Sequence, residues 1–326
     1  MTLKVKIPNI SNLLHEKNVL NCLNDNYKNF APNWISHQVE FLNDLYSNFK
    51  DHYKAIILIY LINKKLSFYT KTFTKINYKE FFSKNSLEIK KLTVMEISKS
   101  LFMPKETARR KIKELENSDI IKKKKKTLLI DKLAFNFIKP NNEVIRLSRF
   151  ISMFTNILCQ NGMLEKKIET KEVKEIIKKN FSYVCHLYYN LQIEMSSLWI
   201  SYFKKDPCLW HVWGACIFGQ VFAEHNSINV PKSNVIHSLN KRENYNENIT
   251  KGKNKTGINA LSISDLTGIP RATTVRKLHQ LIKSNHLKVN KKRFLPTGKK
   301  VKELNKIQNL VFQNLSRFLT KVINII

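Results

Sequence analysis

Apolar side chains recur at i, i+4 and i+7 as Ala108, Ile112 and Leu115, and this spacing predicts an amphipathic helix. It begins at Pro104, whose missing amide costs nothing in a first turn. The opposite side of the helix carries Glu106, Arg110 and Lys113, flanked by Arg109. Just upstream, Thr93-Val94-Met95-Glu96 has the form of a capping box, in which a Thr hydroxyl and a Glu carboxylate satisfy each other's free amides. A short helix over 94–101 follows, with Met95, Ile97 and Leu101 available for burial. Downstream, Ile120, Ile121 and the stretch from Thr127 to Ile130 flank the run Lys122 to Lys126 and predict a two-stranded hairpin with a basic tip. Taken alone, that lysine run reads as a solvated loop; placed after two short helices, it reads as a wing.

The whole pattern returns. Ile97, Ser98, Pro104, Thr107, Arg110, Lys111, Ile112, Leu115 and Ser118 reappear 166 positions later as Ile263, Ser264, Pro270, Thr273, Arg276, Lys277, Leu278, Leu281 and Ser284. In this copy Thr274, Leu278 and Leu281 face inward, while Ala272, Arg276 and His279 face outward, flanked by Val275. Gly268 supplies a left-handed stop before Ile269 and Pro270. Leu287, Val289, Phe294 and Leu295 then flank the basic tip from Asn290 to Arg293. Two short helices joined by a tight turn, the second basic on its free face, make a helix-turn-helix.

Outside these segments Gln38, Val39, Glu40, Phe41, Leu45, Phe49 and Lys50 return as Gln192, Ile193, Glu194, Met195, Trp199, Phe203 and Lys204, and the LSRF at Leu147 to Phe150 returns at Leu315 to Phe318. A period this long is a duplicated domain, not a solenoid. The change of offset places an insertion of 12 residues between Asn226 and Asn259. The expected organisation is an N-terminal extension (1–30), a first repeat with flanking helices (31–160), a connecting helical segment (161–190) and a second repeat (191–326).

Composition narrows the function. With 43% hydrophobic residues in 326, the chain can bury a core for each repeat. Neither Ala55 to Ile62 nor Leu209 to Ala223 is long and uninterrupted enough to span a bilayer, no signal peptide is visible, and both apolar runs read as buried helices. Five cysteines without CxxC spacing support neither a disulfide framework nor a zinc site, which suggests a reducing, cytoplasmic setting. Cys208, His211 and Cys216 read as buried side chains, so no metal or cofactor is expected. The net charge of +32 points to nucleic acid, although Lys and Asn are abundant everywhere. The nine arginines are more telling. Arg109, Arg110, Arg271, Arg276 and Arg293 fall in the two basic helices and the second tip, and the fifty residues from Lys251 to Lys300 hold 13 bases against Asp265 alone.

The order long helix, helix, helix-turn-helix, wing, long C-terminal helix resembles the MarR-type winged-helix regulators. Gly268 to Leu281 (GIPRATTVRKLHQL), followed by Leu287 and by Leu295-Pro296-Thr297-Gly298-Lys299, carries the resemblance. It implies a mainly α fold of two tandem winged helix-turn-helix modules, each with a small β-wing. The flanking helices would pack as a pseudo-two-fold dimer within one chain. Such readers place two recognition helices about 34–36 Å apart on successive major grooves.

The expected partner is double-stranded DNA, read by a monomer that acts as a pseudo-dimer. Base contacts fall to Glu106, Thr107, Arg109, Arg110 and Lys113 in one half and to Ala272, Thr273, Arg276 and His279 in the other. Lys105, Lys123, Lys124, Lys125, Arg271, Lys291, Lys292 and Arg293 suit phosphates. No catalytic constellation stands out, and Lys251 to Gly257 lacks the spacing of a phosphate loop. The aromatic residues between Tyr183 and Phe222 read first as core, with a small-molecule effector site as the second reading. A transcriptional regulator is the leading expectation. A plasmid- or phage-type replication initiator and a winged-helix interaction scaffold are the alternatives.

Overall fold

The computed structural model describes residues 13–125, 127–138, 140–227, 240–251 and 256–326. The first half runs α1 (Glu16–Asp25), α2 (Tyr27–Phe49), α3 (His52–Lys71), α4 (Tyr78–Phe82), β1 (Ser86–Lys90), α5 (Val94–Ser100), α6 (Lys105–Asn117), β2 (Ile121–Lys124), β3 (Thr127–Asp131), α7 (Ala134–Ile138) and α8 (Pro140–Gln160). It continues with α9 (Thr170–Lys179), α10 (Phe181–Tyr202), α11 (Pro207–Ser227), α12 (Arg242–Lys251), β4 (Ile258–Asn259), α13 (Ala260–Thr267), α14 (Arg271–Lys283), β5 (Leu287–Asn290), β6 (Arg293–Pro296) and α15 (Val301–Ile323). The fold is mainly helical, with two small antiparallel sheets of three strands, ordered β1-β3-β2 and β4-β6-β5.

Each sheet completes a head made of two short helices and a hairpin. In the first, Leu87 and Ile121 both oppose Ile130 across the sheet, and all three are buried, with β1 lying on α3 and β2 on α6. Thr93 and Glu96 form the reciprocal capping box that starts α5. Met95 is exposed, not buried as the sequence suggests, because this cap sets the phase of α5 so that Ile97 and Leu101 take the inner face. Pro104 and Pro270 each stand one position before their helix, with ψ at 137°, and their carbonyls accept from Ala108 and Thr274. Gly268 closes α13 at φ 66°, a conformation open to glycine without steric cost. The added strands β1 and β4 carry little sequence signal, β4 being two residues long.

The long helices are exchanged between the repeats. α3 packs along α10, and α2 packs along α11, so each repeat's first long helix lies on the second long helix of the other. Within a repeat, α8 crosses α2 and α15 crosses α10. Phe150 meets Trp34 at 5.4 Å between ring centroids, and Phe318 meets Tyr188, at the position matching Trp34, at 6.0 Å. The first head docks on α3 and the second on α11. The segment expected as an N-terminal extension carries α1, which packs on α15, with Leu14 and the Asn324 amide exchanging two hydrogen bonds. The expected insertion carries α12; residues 228–239 and 252–255 within it lie outside the described residues. Among the described residues no helix is long and apolar enough to cross a membrane.

An Asp–Lys ion pair fastens each head to its helix in the same place in both repeats, and in the first Lys54 of α3 also meets Glu114 of α6 at 3.5 Å. Asp51 caps α3 by accepting from the amides of Tyr53 and Lys54, and its other oxygen receives Lys111 of α6 at 2.6 Å. Asp206 caps α11 by accepting from the Leu209 amide, and it pairs with Lys277 of α14. Lys111 and Lys277 are repeat partners on the inner sides of their helices, so they hold the heads in place and stand apart from the exposed basic faces. Burial alone would lower the Lys111 pKa, but Asp51 and Glu114 outweigh it and hold the ammonium charged. Replacing Asp51 by Ala removes a helix cap and half of a shielded ion pair, and should cost on the order of 2 kcal/mol in urea unfolding. A loss below about 0.5 kcal/mol, the ordinary scale for a surface change, would show that the strut carries no load.

Where α3, α2 and α11 meet, two imidazoles touch. His52 Nε2 lies 2.9 Å from His211 Nδ1, and His211 Nε2 lies 2.8 Å from Asn43 Oδ1, which can only accept. Both rings are therefore neutral, with His52 donating to His211 and His211 donating to Asn43. Burial pushes the His52 pKa down to about 4, against the pull of Asp51 and Asp206; burial and the neighbouring ring hold His211 well below its usual value. On unfolding, both regain an ordinary pKa near 6.5 and take up protons that the folded state refuses. Stability should therefore fall as pH drops from about 6.5 toward 4, by up to about 1.4 kcal/mol per pH unit for each ring. Urea unfolding at pH 7 and pH 5 tests this: a His52→Gln/His211→Gln variant should lose part of the slope, and an unchanged slope would disprove the assignment.

Candidate nucleic-acid interface

The amphipathic reading of both basic helices places their side chains correctly. In α6, Ala108, Ile112 and Leu115 are buried, while Lys105, Glu106, Arg109, Arg110 and Lys113 are exposed and Thr107 is half-buried. In α14, Thr274, Leu278 and Leu281 are buried, Arg271, Ala272, Arg276 and His279 are exposed, and Thr273 and Val275 are half-buried. Each of the two faces is thus brought to the surface as one strip. Lys123, Lys124 and Lys125 extend the first head along β2 and its turn; Lys291, Lys292 and Arg293 do so at the second tip, and all six are exposed.

Both hairpins close over two residues, and each turn begins in a left-handed conformation, at Lys125 (φ 36°) and at Lys291 (φ 46°). The second is a two-residue turn in which Lys291 (φ 46°) and Lys292 (φ 63°) both take left-handed conformations between Asn290 and Arg293. Glycine or asparagine would relieve that strain, so the chain holds two ammonium groups at the apex against local preference. Arg293 anchors the turn by donating to the Gly257 carbonyl at 3.1 Å. Gly257 itself sits where a Cβ would lie 2.9 Å from the Phe294 carbonyl and the Leu295 side chain, so only glycine fits beside β6.

Electrostatically the heads are unequal. The stretch 86–131 contains seven acids, and most of them engage its bases: Glu106 pairs with Arg109 at 3.1 Å, Glu114 with Arg110 at 3.9 Å, Glu116 with Lys123 at 2.6 Å, and Asp119 with Lys122 at 3.4 Å. The stretch 258–297 contains one acid, Asp265. Among the described residues no ion pair engages Arg271, Arg276, Lys291 or Lys292. The sequence already shows the excess of bases over the single acid Asp265 between Lys251 and Lys300; what it does not show is the pairing that engages the bases of the first head.

The five cysteines are free thiols. Burial pushes Cys208 up to about 11 and Cys185 well above the usual range, the opposite of an activated thiolate. Asp206, His211 and Ser201 do not form a catalytic group: Asp206 is engaged by Lys277 and a helix cap, and His211 is bound to His52 and Asn43. No family model, no curated protein and no solved structure matches the chain.

If phosphate contact depends on bare charge, replacing Lys291, Lys292 and Arg293 by Ala should flatten the dependence of log K on log salt by about 2.7, at about 0.9 per phosphate released. The corresponding change at Lys123, Lys124 and Lys125 should be smaller, because Lys123 is already paired with Glu116. Equal changes, measured by fluorescence anisotropy on one duplex between 50 and 200 mM salt, would rule out the electrostatic ranking.

Proposed function

We propose that this chain is a sequence-specific, double-stranded DNA-binding transcriptional regulator built as a single-chain pseudo-dimer of two winged helix-turn-helix modules. One observation carries the reading: two exposed, arginine-bearing helix faces, each continued by a basic hairpin tip, are held on a scaffold of helices exchanged between repeats. In this reading α6 and α14 enter successive major grooves, and the hairpin tips and helix starts grip the backbone. Arg110 and Arg276, kept at the same repeat position, are the base readers; a bidentate arginine on guanine is worth about 1–3 kcal/mol of discrimination. The protein acts by binding, in a reducing, cytoplasmic compartment.

A covalent pair of heads need not read the same bases. Glu106, Arg109 and Lys113 give way to Ala272, Val275 and His279. Selection of bound duplexes from a random pool should therefore return an imperfect inverted repeat with unlike outer positions. Arg110→Ala and Arg276→Ala should each relax a different half. A perfect palindrome, or a single half-site, would contradict the proposal. The inequality in bare charge also favours a second reading, a replication initiator whose two modules play different parts on an asymmetric origin; recovery of direct repeats in the same selection would support it over the regulator.

A further inference from the structure

Helix α3 ends in a turn that local preference argues against. The Phe73 amide donates to the Thr70 carbonyl at 3.2 Å and the Thr74 amide to the Tyr69 carbonyl at 2.8 Å, the hydrogen-bond pattern of a Schellman stop. The left-handed position of such a stop ordinarily holds glycine or asparagine; here it holds Phe73, at φ 52°. The ring gains nothing inside the protein in return, since Phe73 is 94% exposed. The hydroxyls of Thr72 and Thr74 meet at 2.9 Å, so the turn that presents the ring is closed by side chains as well as by backbone. Phe68, near the end of α3, is exposed too, at 54%.

Charge surrounds the two rings. From Lys64 to Lys79 the chain carries five lysines and no acid, and among the described residues no ion pair engages any of them. Lys65 lies 5.0 Å from the Phe68 ring centroid. Its pKa is lowered by burial and then by Lys84, which brings a further cation from the turn between α4 and β1. Lysine is abundant throughout the chain, so charge alone selects nothing here. The strained, bare phenyl does.

We propose that this end of α3 is a binding surface for single-stranded nucleic acid, with unpaired bases stacking on Phe73 and Phe68 and phosphates meeting Lys65, Lys71 and Lys75. Aromatic platforms set among lysines hold single strands without regard to sequence. In a duplex the bases cover one another's faces, so an exposed ring of this kind can stack only on unpaired ones. Between Lys64 and Lys79 the exposed large apolar side chains are both aromatic, and threonines flank Phe73. A base requires a flat ring, whereas a lipid surface would accept aliphatic area as readily. The surface uses no residue of α6, α14 or the hairpin tips, so it stands whether or not those bind duplex.

Fluorescence anisotropy of the full-length protein with a labelled oligothymidylate of about 12 nucleotides, within the site sizes of single-strand binders, tests the proposal. Binding should saturate, and an abasic strand of the same length should bind about fivefold more weakly or worse, the lower end of what one stacked base contributes. Phe73→Gly removes the ring and relieves the left-handed backbone, so it should weaken oligothymidylate by about fivefold or more while Tm stays level or rises. Phe73→Leu should show the same loss, and Phe73→Tyr should keep the affinity. Duplex affinity should be the same in Phe73→Gly as in the unaltered chain, which separates a failure of this surface from a failure of the heads. Equal affinity for oligothymidylate and the abasic strand, or undiminished affinity in Phe73→Gly or Phe73→Leu, would overturn the proposal. So would sedimentation with phosphatidylserine vesicles that Phe73→Gly abolishes and Phe73→Leu keeps, a result that would assign the surface to a membrane.

Discussion

The structure depends on the exchange of long helices between repeats. An isolated repeat would expose the apolar face of α3 that now lies on α10, or the face of α2 that lies on α11. A helix that is apolar almost all round, as α3 is from Ala55 to Ile62, has to be enclosed on several sides, and neither repeat supplies enough helices to do so alone. Mutual enclosure makes the two halves one folding unit, although the sequence shows them as two copies. It also explains why the segment before the first repeat is structured: α1 covers α15, which would otherwise present its outer side to water.

Within that enclosure the polar groups mark where elements must meet. Arg146 is buried and donates to Asp44 at 2.6 Å, and Tyr189 donates to Glu143 at 2.8 Å, so α8 is pinned to α2 and α10 by groups that lose much if misplaced. Burial pushes Glu143 up to about 7 despite Arg146, so its carboxyl sits near the point of changing charge at neutral pH. His52 with His211, and the two Asp–Lys struts, serve the heads in the same way. A hydrophobic interface alone would tolerate sliding along the helices; these pairs admit one register.

Much of this was legible in the sequence wherever a local rule determines the outcome. The stripe Ala108, Ile112 and Leu115, the capping box at Thr93 and the stop at Gly268 each follow from spacing within a dozen residues, and each stands where the pattern puts it. Legibility ends where partners are distant in the chain. Lys111 and Lys277 stand out as a repeated pair, but their acids lie 60 and 71 positions away, and only the docking of a head on its helix brings them together. β1 and β4 are strands because β3 and β6 offer an edge. α12 is polar and ordinary in sequence, and its place is set by packing on α2 and α15, which lie far from it in the chain. The basic faces were visible as charge, but not as bare or paired charge, since pairing depends on rotamers and turns.

The two heads are alike in their elements and unequal in their charge. Two separate subunits must carry identical faces, so a change that suits one half-site is imposed on both. Two heads in one chain escape that constraint: Glu106 and Glu116 moderate one head, while among the described residues no ion pair engages Arg276, Lys291 or Lys292 of the other. The shared interior is coupled more tightly. Any drift in α2, α3, α10 or α11 is felt by both repeats at once, because each face is the other's lining. Interior positions have changed in size, from Phe41 to Met195 and from Leu45 to Trp199, while Gln38 and Gln192 keep their type, as do the helix-capping Asp51 and Asp206. A scaffold that couples its halves so tightly lets the two exposed basic surfaces differ without the frame coming apart.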